Sequence, residues 1–359
     1  MKTLPCSLFI LTLFNPGAFA ERPVSFDQKG DLPALSENIK TAVKTAGAPA
    51  MPVSGAAAGA KGTPGFCIFN SRSGSPLGDE TAFKAAVRNA DVVFSGESHD
   101  QMKDHLAQLE ALKALGEARG EKIVVGFEML NMTLQPVLDD YAAGKISEED
   151  FLLKADWKKE WGFDFNLYKP LFDLIRAGKL KALALNLPKK IVSKIARVGL
   201  DGLSAEEKQY LPAKVEITRN EAYIKYMRQT FDGHSRSAAD TALTRTGTAA
   251  AGKNGMGDFT FENYLAAMCA WNETMGARLA EFLNANPGFA GITIAGSGHV
   301  IYNAGIPASV ASRTPGLRSV SFYPVDAAVC PAAFPACDAD LADLVWYIDH
   351  AIPAAGKKK

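Results

Sequence analysis

Val92-Val93-Phe94-Ser95-Gly96-Glu97-Ser98-His99-Asp100 is the stretch that decides the fold. Its short apolar run, rich in β-branched residues, reads as a strand buried on both faces, as in a parallel sheet with both faces covered. A glycine and polar residues follow at once, so the strand ends in a tight turn. Working outward, three more runs repeat the pattern. Ile123-Val124-Val125-Gly126-Phe127 leads into Glu128, and Leu183-Ala184-Leu185 into Asn186-Leu187-Pro188. Ile292-Thr293-Ile294-Ala295 leads into Gly296-Ser297-Gly298-His299. Helical spacing separates the runs: Met102, Leu106, Leu109, Leu112 and Leu115 share one helix face. Phe66–Phe69, Ser319–Tyr323 and Leu344–Ile348 are expected as edge strands, and Glu216–Thr230 and Phe261–Asn286 as helices. The expected class is α/β, with a parallel-type central sheet, flanking helices and an inserted helical cap.

The flanks carry different signals. Lys2, the apolar Leu4–Phe14 and Ala18-Phe19-Ala20 have the order of a secretory signal peptide cleaved after Ala20. This predicts residues 1–20 as leader and a periplasmic or secreted mature protein. Cys6 precedes the apolar stretch rather than closing it, which argues against a lipid anchor. Residues 21–65, rich in Ala, Gly and Pro, read as a flexible linker. Residues 66–349 are expected as one domain and 350–359 as an exposed tail carrying His350 and Lys357–Lys359. Ser235–Gly257 reads as a loop within the domain.

The 359-residue chain balances 39 Lys+Arg against 39 Asp+Glu, which argues against an electrostatic nucleic-acid binder. No internal run reaches the roughly 20 apolar residues of a membrane helix. In an oxidising compartment Cys330-Pro-Ala-Ala-Phe-Pro-Ala-Cys337 is expected to close on itself, for about 2–3 kcal/mol. The pairing of Cys67 and Cys269 stays open. No C-x-x-C-H motif is present, so any haem would be held non-covalently.

Ligands of open parallel sheets bind at the carboxyl ends of the strands. If the four runs are parallel neighbours, Glu97, His99, Glu128 and His299 converge on one crevice. Two carboxylates and two imidazoles could bind a divalent metal, or a carboxylate held by a histidine could act as general base on water. H-E-x-x-H and G-x-S-x-G are both absent, and Ser98-His99-Asp100 cannot converge as a triad.

At these residues a family resemblance appears. Gly96-Glu97-Ser98-His99-Asp100, Phe127-Glu128-Met129, Trp161-Gly162-Phe163-Asp164 and Ala184-Leu185-Asn186-x-Pro188 occur in order. Trp271-Asn272-Glu273-Thr274-Met275 and Gly296-x-Gly298-His299-Val300 complete the set. Together they resemble the ChaN-like family of haem-binding uptake proteins, in a wider group with Tiki, TraB and erythromycin esterase proteins. The resemblance implies an α/β domain, export, and haem binding in iron acquisition. The enzyme relatives imply essential Glu and His residues matching Glu97, His99, Glu128 and His299. The His-rich, Met-containing segment of many ChaN-like chains is reduced here to His234 and Met256.

Trp157, Trp161, Phe163, Phe165 and Tyr168 could wall a porphyrin, make a homodimer contact, or fill the core; core filling is favoured. Tyr302, Tyr168, His299 and His99 are the candidate haem-iron donors, in that order. His105, at the edge of an apolar helix face, reads as structural. Three functions follow: a haem or small-molecule binder in iron uptake, a Glu/His-dependent hydrolase of the Tiki or erythromycin esterase type with or without metal, and a partner-binding module.

Overall fold

The structure is a computed structural model in which residues 66–77, 80–246 and 259–349 are described. The expected leader 1–20, the linker 21–65 and the 350–359 tail lie outside the described residues, as does Met256.

The strands are β1 (Phe66–Asn70), β2 (Val92–Ser95), β3 (Ile123–Asn131), β4 (Lys181–Asn186), β5 (Ala290–Ile294), β6 (Ser319–Asp326) and β7 (Leu344–Ile348). In chain order the α-helices begin with α1 (Glu80–Arg88), α2 (Met102–Arg119), α3 (Gln135–Ala142) and α4 (Glu148–Lys154). They continue with α5 (Trp157–Glu160), α6 (Lys169–Gly178), α7 (Lys189–Val198) and α8 (Ala205–Lys208). The last are α9 (Glu221–Thr246), α10 (Phe261–Ala285) and α11 (Ile306–Arg313). Among the described residues no helix is long and apolar enough to cross a membrane.

All the strands share one sheet of order β1-β7-β6-β2-β5-β3-β4, parallel throughout except for β1, which runs antiparallel to β7. The four apolar runs are therefore neighbours, β2-β5-β3-β4. Val92–Ser95 and Ala290–Ile294 are buried along their whole length, as strands covered on both faces must be. Two expectations need correction. β6 and β7 are interior strands rather than edges, because β1 pairs outside β7. Ser235–Gly257 is not wholly a loop: α9 runs to Thr246. That stretch contains Ala238, Ala239 and Ala242, good helix formers.

The chain forms two compact units. One comprises Leu187–Thr274, a helical insertion whose buried residues include Ile191, Ile195, Tyr223, Met227, Leu265 and Met268. Within it the Asn272 amide donates to the Tyr223 hydroxyl at 2.8 Å. The other joins the segment ending at Asn186 to that beginning at Met275, and holds the entire sheet. Its core includes an aromatic cluster around Phe172, which stacks on Phe127 with centroids 4.6 Å apart and planes 7° from parallel. Phe151, Phe165, Trp157 and Tyr141 surround the same ring.

The disulfide also differs from expectation. Cys330 pairs with Cys67, not with Cys337. The β1–β7 pairing returns the start of the domain to its end, and the Cys67 and Cys330 Cα atoms stand 5.8 Å apart, within disulfide reach. Cys337 takes no part in that bridge; its thiol meets the Asp338 carboxylate at 3.5 Å. A bridge across 263 residues constrains the unfolded chain far more than an eight-residue loop would. Cys67→Ser should lower the unfolding free energy by about 2–4 kcal/mol, read by denaturant titration. A non-reducing peptide map joining Cys330 to Cys337 contradicts the pairing.

Candidate functional site

The site begins with strand register. Ser95 of β2 and Phe127 of β3 both pair with Ile294 of β5, so Gly96, Ala295 and Glu128 come next in one row. Glu97, Glu128 and Gly296 thus leave three adjacent strands at the same end. Between Phe127 and Asn131, the interval that contains Glu128, the β3–β4 register shifts. Such bulges re-aim side chains beside functional sites. The Asn186 amide donates to the Glu128 carbonyl at 2.6 Å.

Two carboxylate–imidazole pairs result. Glu97 Oε1 meets His99 Nδ1 at 2.8 Å and accepts from the Tyr168 hydroxyl at 2.7 Å. Its Oε2 accepts from Gln108 Nε2 at 2.8 Å and lies 3.3 Å from His105 Nδ1. In the second pair, Glu128 Oε2 accepts the Gly296 N–H at 2.6 Å, and Oε1 lies 3.3 Å from His299 Nε2. All four residues predicted from the strand ends therefore converge. His105 and Gln108 of α2 were not foreseen as members.

The electrostatics follow from this enclosure. Burial by itself would raise the Glu97 pKa, yet His105 and His99 hold it well below the ordinary 4.5. Burial opposes charge on His105 too, but Glu97 raises its pKa above 6.5. For His99, burial is likewise outweighed by the hydrogen bond to Glu97 and the charge of Glu128. Glu128, despite burial, is lowered by His299 and the Gly296 N–H.

Exposure separates the members. Glu97, His105, Gln108, Glu128, Tyr168 and His299 are each at most 2% exposed. The His99 side chain is 11% exposed and is the cluster's opening to solvent. Trp161 meets its ring edge-on at 4.6 Å and Phe163 lies 5.1 Å away. Most of the aromatic stretch is core: Trp157, Trp161, Phe165 and Tyr168 are buried, Phe163 is partly buried against them, and Trp157 Nε1 donates to the Phe163 carbonyl. Burial likewise puts Tyr168 and His299 beyond the reach of a macrocycle in this conformation. Burial pushes the Tyr168 hydroxyl well above 10, so it stays protonated and donates to Glu97.

The metal expectation is corrected here. Among the described residues, no group of three or more His, Cys, Asp or Glu side chains could hold a metal ion. The four expected ligands instead turn their oxygens and nitrogens on each other.

Gly296 is a steric requirement. A Cβ there would stand 2.7 Å from His99 Cε1, 3.0 Å from His99 Nε2 and 3.5 Å from Glu128 Oε2. His99 is held by Glu97 and cannot yield cheaply. Gly296→Ala should cost about 1–3 kcal/mol as overpacking and displace the His99 ring. Denaturant unfolding with the His99 imidazole resonances checks this; an alanine variant unchanged in both contradicts it.

Tyr302 occupies the turn that follows His299. It and Asn303 have successive left-handed backbone angles, φ 59° and 53°. Its N–H bonds the Leu341 carbonyl at 2.7 Å, and Asn303 Nδ2 bonds Asp343 at 3.2 Å. Left-handed non-glycine residues carry strain of about 1–3 kcal/mol and cluster at functional sites. The Tyr302 side chain is partly exposed.

Comparison with known proteins completes the description. Residues 83–310 match the family of haem-binding uptake proteins of the Tiki superfamily, ChaN. The chain belongs to the ChaN family. The fold is similar to the solved structure of ChaN of Campylobacter jejuni, described as showing cofacial heme binding. The TM-score is 0.56 at 19% identity, covering 79% of this chain and 97% of that one. A mutant of the erythromycin esterase EreC in its open conformation is more distant: TM-score 0.39, 14% identity, 72% of this chain and 77% of that one. No curated protein sequence matches. ChaN membership thus rests on the sequence match, and the Campylobacter structure agrees in fold.

Proposed function

We propose that the mature protein is an exported haem-binding protein acting in haem or iron uptake. The observation that carries the reading is the form of the opening. The otherwise buried cluster reaches solvent through an imidazole flanked by the Trp161 and Phe163 rings. Flat apolar surface beside nitrogen or oxygen donors is what a porphyrin requires. Family membership supports the same ligand. The Cys67–Cys330 bridge supports export, since disulfides persist outside the reducing cytosol.

The residues present fit a non-covalently held haem. Haem, when bound, would supply an iron for which the protein offers a side-chain donor. Tyr302 is the donor of choice: it is partly exposed and its backbone is strained, whereas Tyr168 and His299 are enclosed. His99 is the second candidate because its ring reaches the opening. Trp161 and Phe163 would border the macrocycle. Hydrolysis as read from the sequence uses Glu97 or Glu128 as the base that takes a proton from water. Both carboxylates here are buried and engaged with imidazoles, so nothing favours hydrolysis over haem.

Haemin titrations of wild type, Tyr302→Phe and His99→Ala test the donor. Tyr302→Phe is expected to weaken binding by about tenfold or more, equivalent to about 1.4 kcal/mol, and to abolish the tyrosinate-type spectrum. His99→Ala should retain that spectral type. The reverse pattern moves the donor to His99.

A further inference from the structure

Glu97 has no acceptor position to spare. A carboxylate offers about four lone-pair positions. Those of Glu97 face His99 Nδ1 and the Tyr168 hydroxyl on Oε1, and Gln108 Nε2 and His105 Nδ1 on Oε2. A water arriving at the site finds no free oxygen lone pair to which it could pass a proton.

His105 is bounded by acceptors alone. Its Nε2 faces the His99 carbonyl at 3.1 Å. Its Nδ1 faces Gln108 Oε1 at 3.1 Å and Glu97 Oε2 at 3.3 Å. The Gln108 amide cannot be reversed, because its Nε2 donates to Glu97 and a flip would oppose two oxygens. A neutral imidazole has one bare nitrogen, which here would have to face a carbonyl or amide oxygen. Both nitrogens of His105 therefore carry protons. The same reasoning applies to His99: opposite an ionised Glu97 oxygen, its Nδ1 must be the donor.

We propose that Glu97 is a positioning residue, a carboxylate anchored by the His105 imidazolium, that fixes His99 in its Nδ1-protonated form and presents Nε2 as the ligand-facing atom. Nε2 lies beside Gly296, within 3.0 Å of where that residue's Cβ would stand. Ligand chemistry is then concentrated on one atom, which accepts a hydrogen bond when bare and donates one to an anionic oxygen when protonated. Tyr168 and Gln108 complete the clamp. The raised pKa of His105 and the lowered pKa of Glu97 agree with an ionised pair. The inference concerns the protein without ligand and does not depend on haem.

Long-range ¹H–¹⁵N spectra of the imidazoles in uniformly ¹⁵N-labelled protein, recorded near neutral pH without haem, test it. The expected wild-type result is His99 protonated at Nδ1 and His105 protonated at both nitrogens. A bare Nδ1 on His99, or one bare nitrogen on His105, overturns the proposal. In Glu97→Gln, His99 should relax to a mixture of tautomers; a wholly Nδ1-protonated His99 there also overturns it. Tyr168→Phe keeps the ring and leaves His99 as the remaining donor to Oε1, so its Nδ1 proton should move downfield. An unchanged resonance counts against the clamp. A failed haemin titration alongside the expected tautomers would sink the haem reading and leave this inference standing.

Discussion

Glu97→Ala is expected to lower the unfolding free energy by about 3–5 kcal/mol, the usual result of removing one partner from a buried ion pair. The substitution leaves His105 at 2% exposure with its nitrogens against neutral acceptors, and removes the acceptor of His99, Tyr168 and Gln108. The loss has a characteristic pH dependence. The folded pKa of His105 is raised, so its share of the stability is fully present below the unfolded value of 6.5 and fades as pH rises through the folded value. The folded pKa of Glu97 is depressed, so its share is present above the unfolded value of 4.5 and fades as pH falls through the folded value. These are two views of one pair and are not to be added. The difference between wild type and Glu97→Ala should be largest between pH 4.5 and 6.5 and smaller in alkaline solution. Denaturant unfolding across that range measures it, and a difference that grows with alkalinity contradicts the ionised pair.

Phe172→Ala is expected to cost a similar amount, about 3–5 kcal/mol, for a different reason. Phe172 is fully buried on α6, stacked on Phe127 and ringed by Phe151, Phe165, Trp157 and Tyr141. Its neighbours are rigid rings that cannot collapse into the space, so the transfer loss and the cavity term both apply. Because α6 begins next to Tyr168, the variant should also loosen the Tyr168 bond to Glu97. Thermal or denaturant unfolding checks the first effect, and the Tyr168 hydroxyl resonance the second. A loss below about 1 kcal/mol would show that the aromatic cluster is less tightly packed than its stacking implies.

How much of this was legible beforehand differs by residue. The β2, β3, β4 and β5 runs are short, apolar and bounded by polar turns, which reads as parallel strands buried on both faces. The convergence of Glu97, Glu128 and His299 needs strand order as well as direction, and the neighbours β2-β5-β3 supply it. β6 and β7 were assigned to edges because apolar runs do not encode their neighbours; the order depends on β1 returning antiparallel to β7. The disulfide partner was missed for a related reason: Cys67 lies on β1, whose place beside β7 is not encoded locally, and Cys337 is merely nearer to Cys330 in sequence. His105 was read as structural and Gln108 was not singled out, because polar residues bordering an apolar helix stripe normally face water. Here they lie over the Glu97 side chain, and only tertiary packing reveals it. A positional clue did exist: His105 and Gln108 are three apart on α2, one face of the helix that follows the Glu97 strand end.

The aromatic stretch shows the opposite case. Composition could not separate a porphyrin wall from a core, because aromatics dominate both. The structure buries Trp157, Trp161, Phe165 and Tyr168, leaves Phe163 partly exposed, and sets the Trp161 and Phe163 rings against His99.

The central claim is that this ChaN-family chain offers haem a donor and an apolar border at the opening of its strand-end cluster. Absorbance titration of haemin into the purified protein tests it most directly. The account predicts a saturable Soret shift at about micromolar haemin, corresponding to about 8 kcal/mol of binding free energy. A featureless titration, with haemin keeping its free spectrum at every ratio, would contradict it.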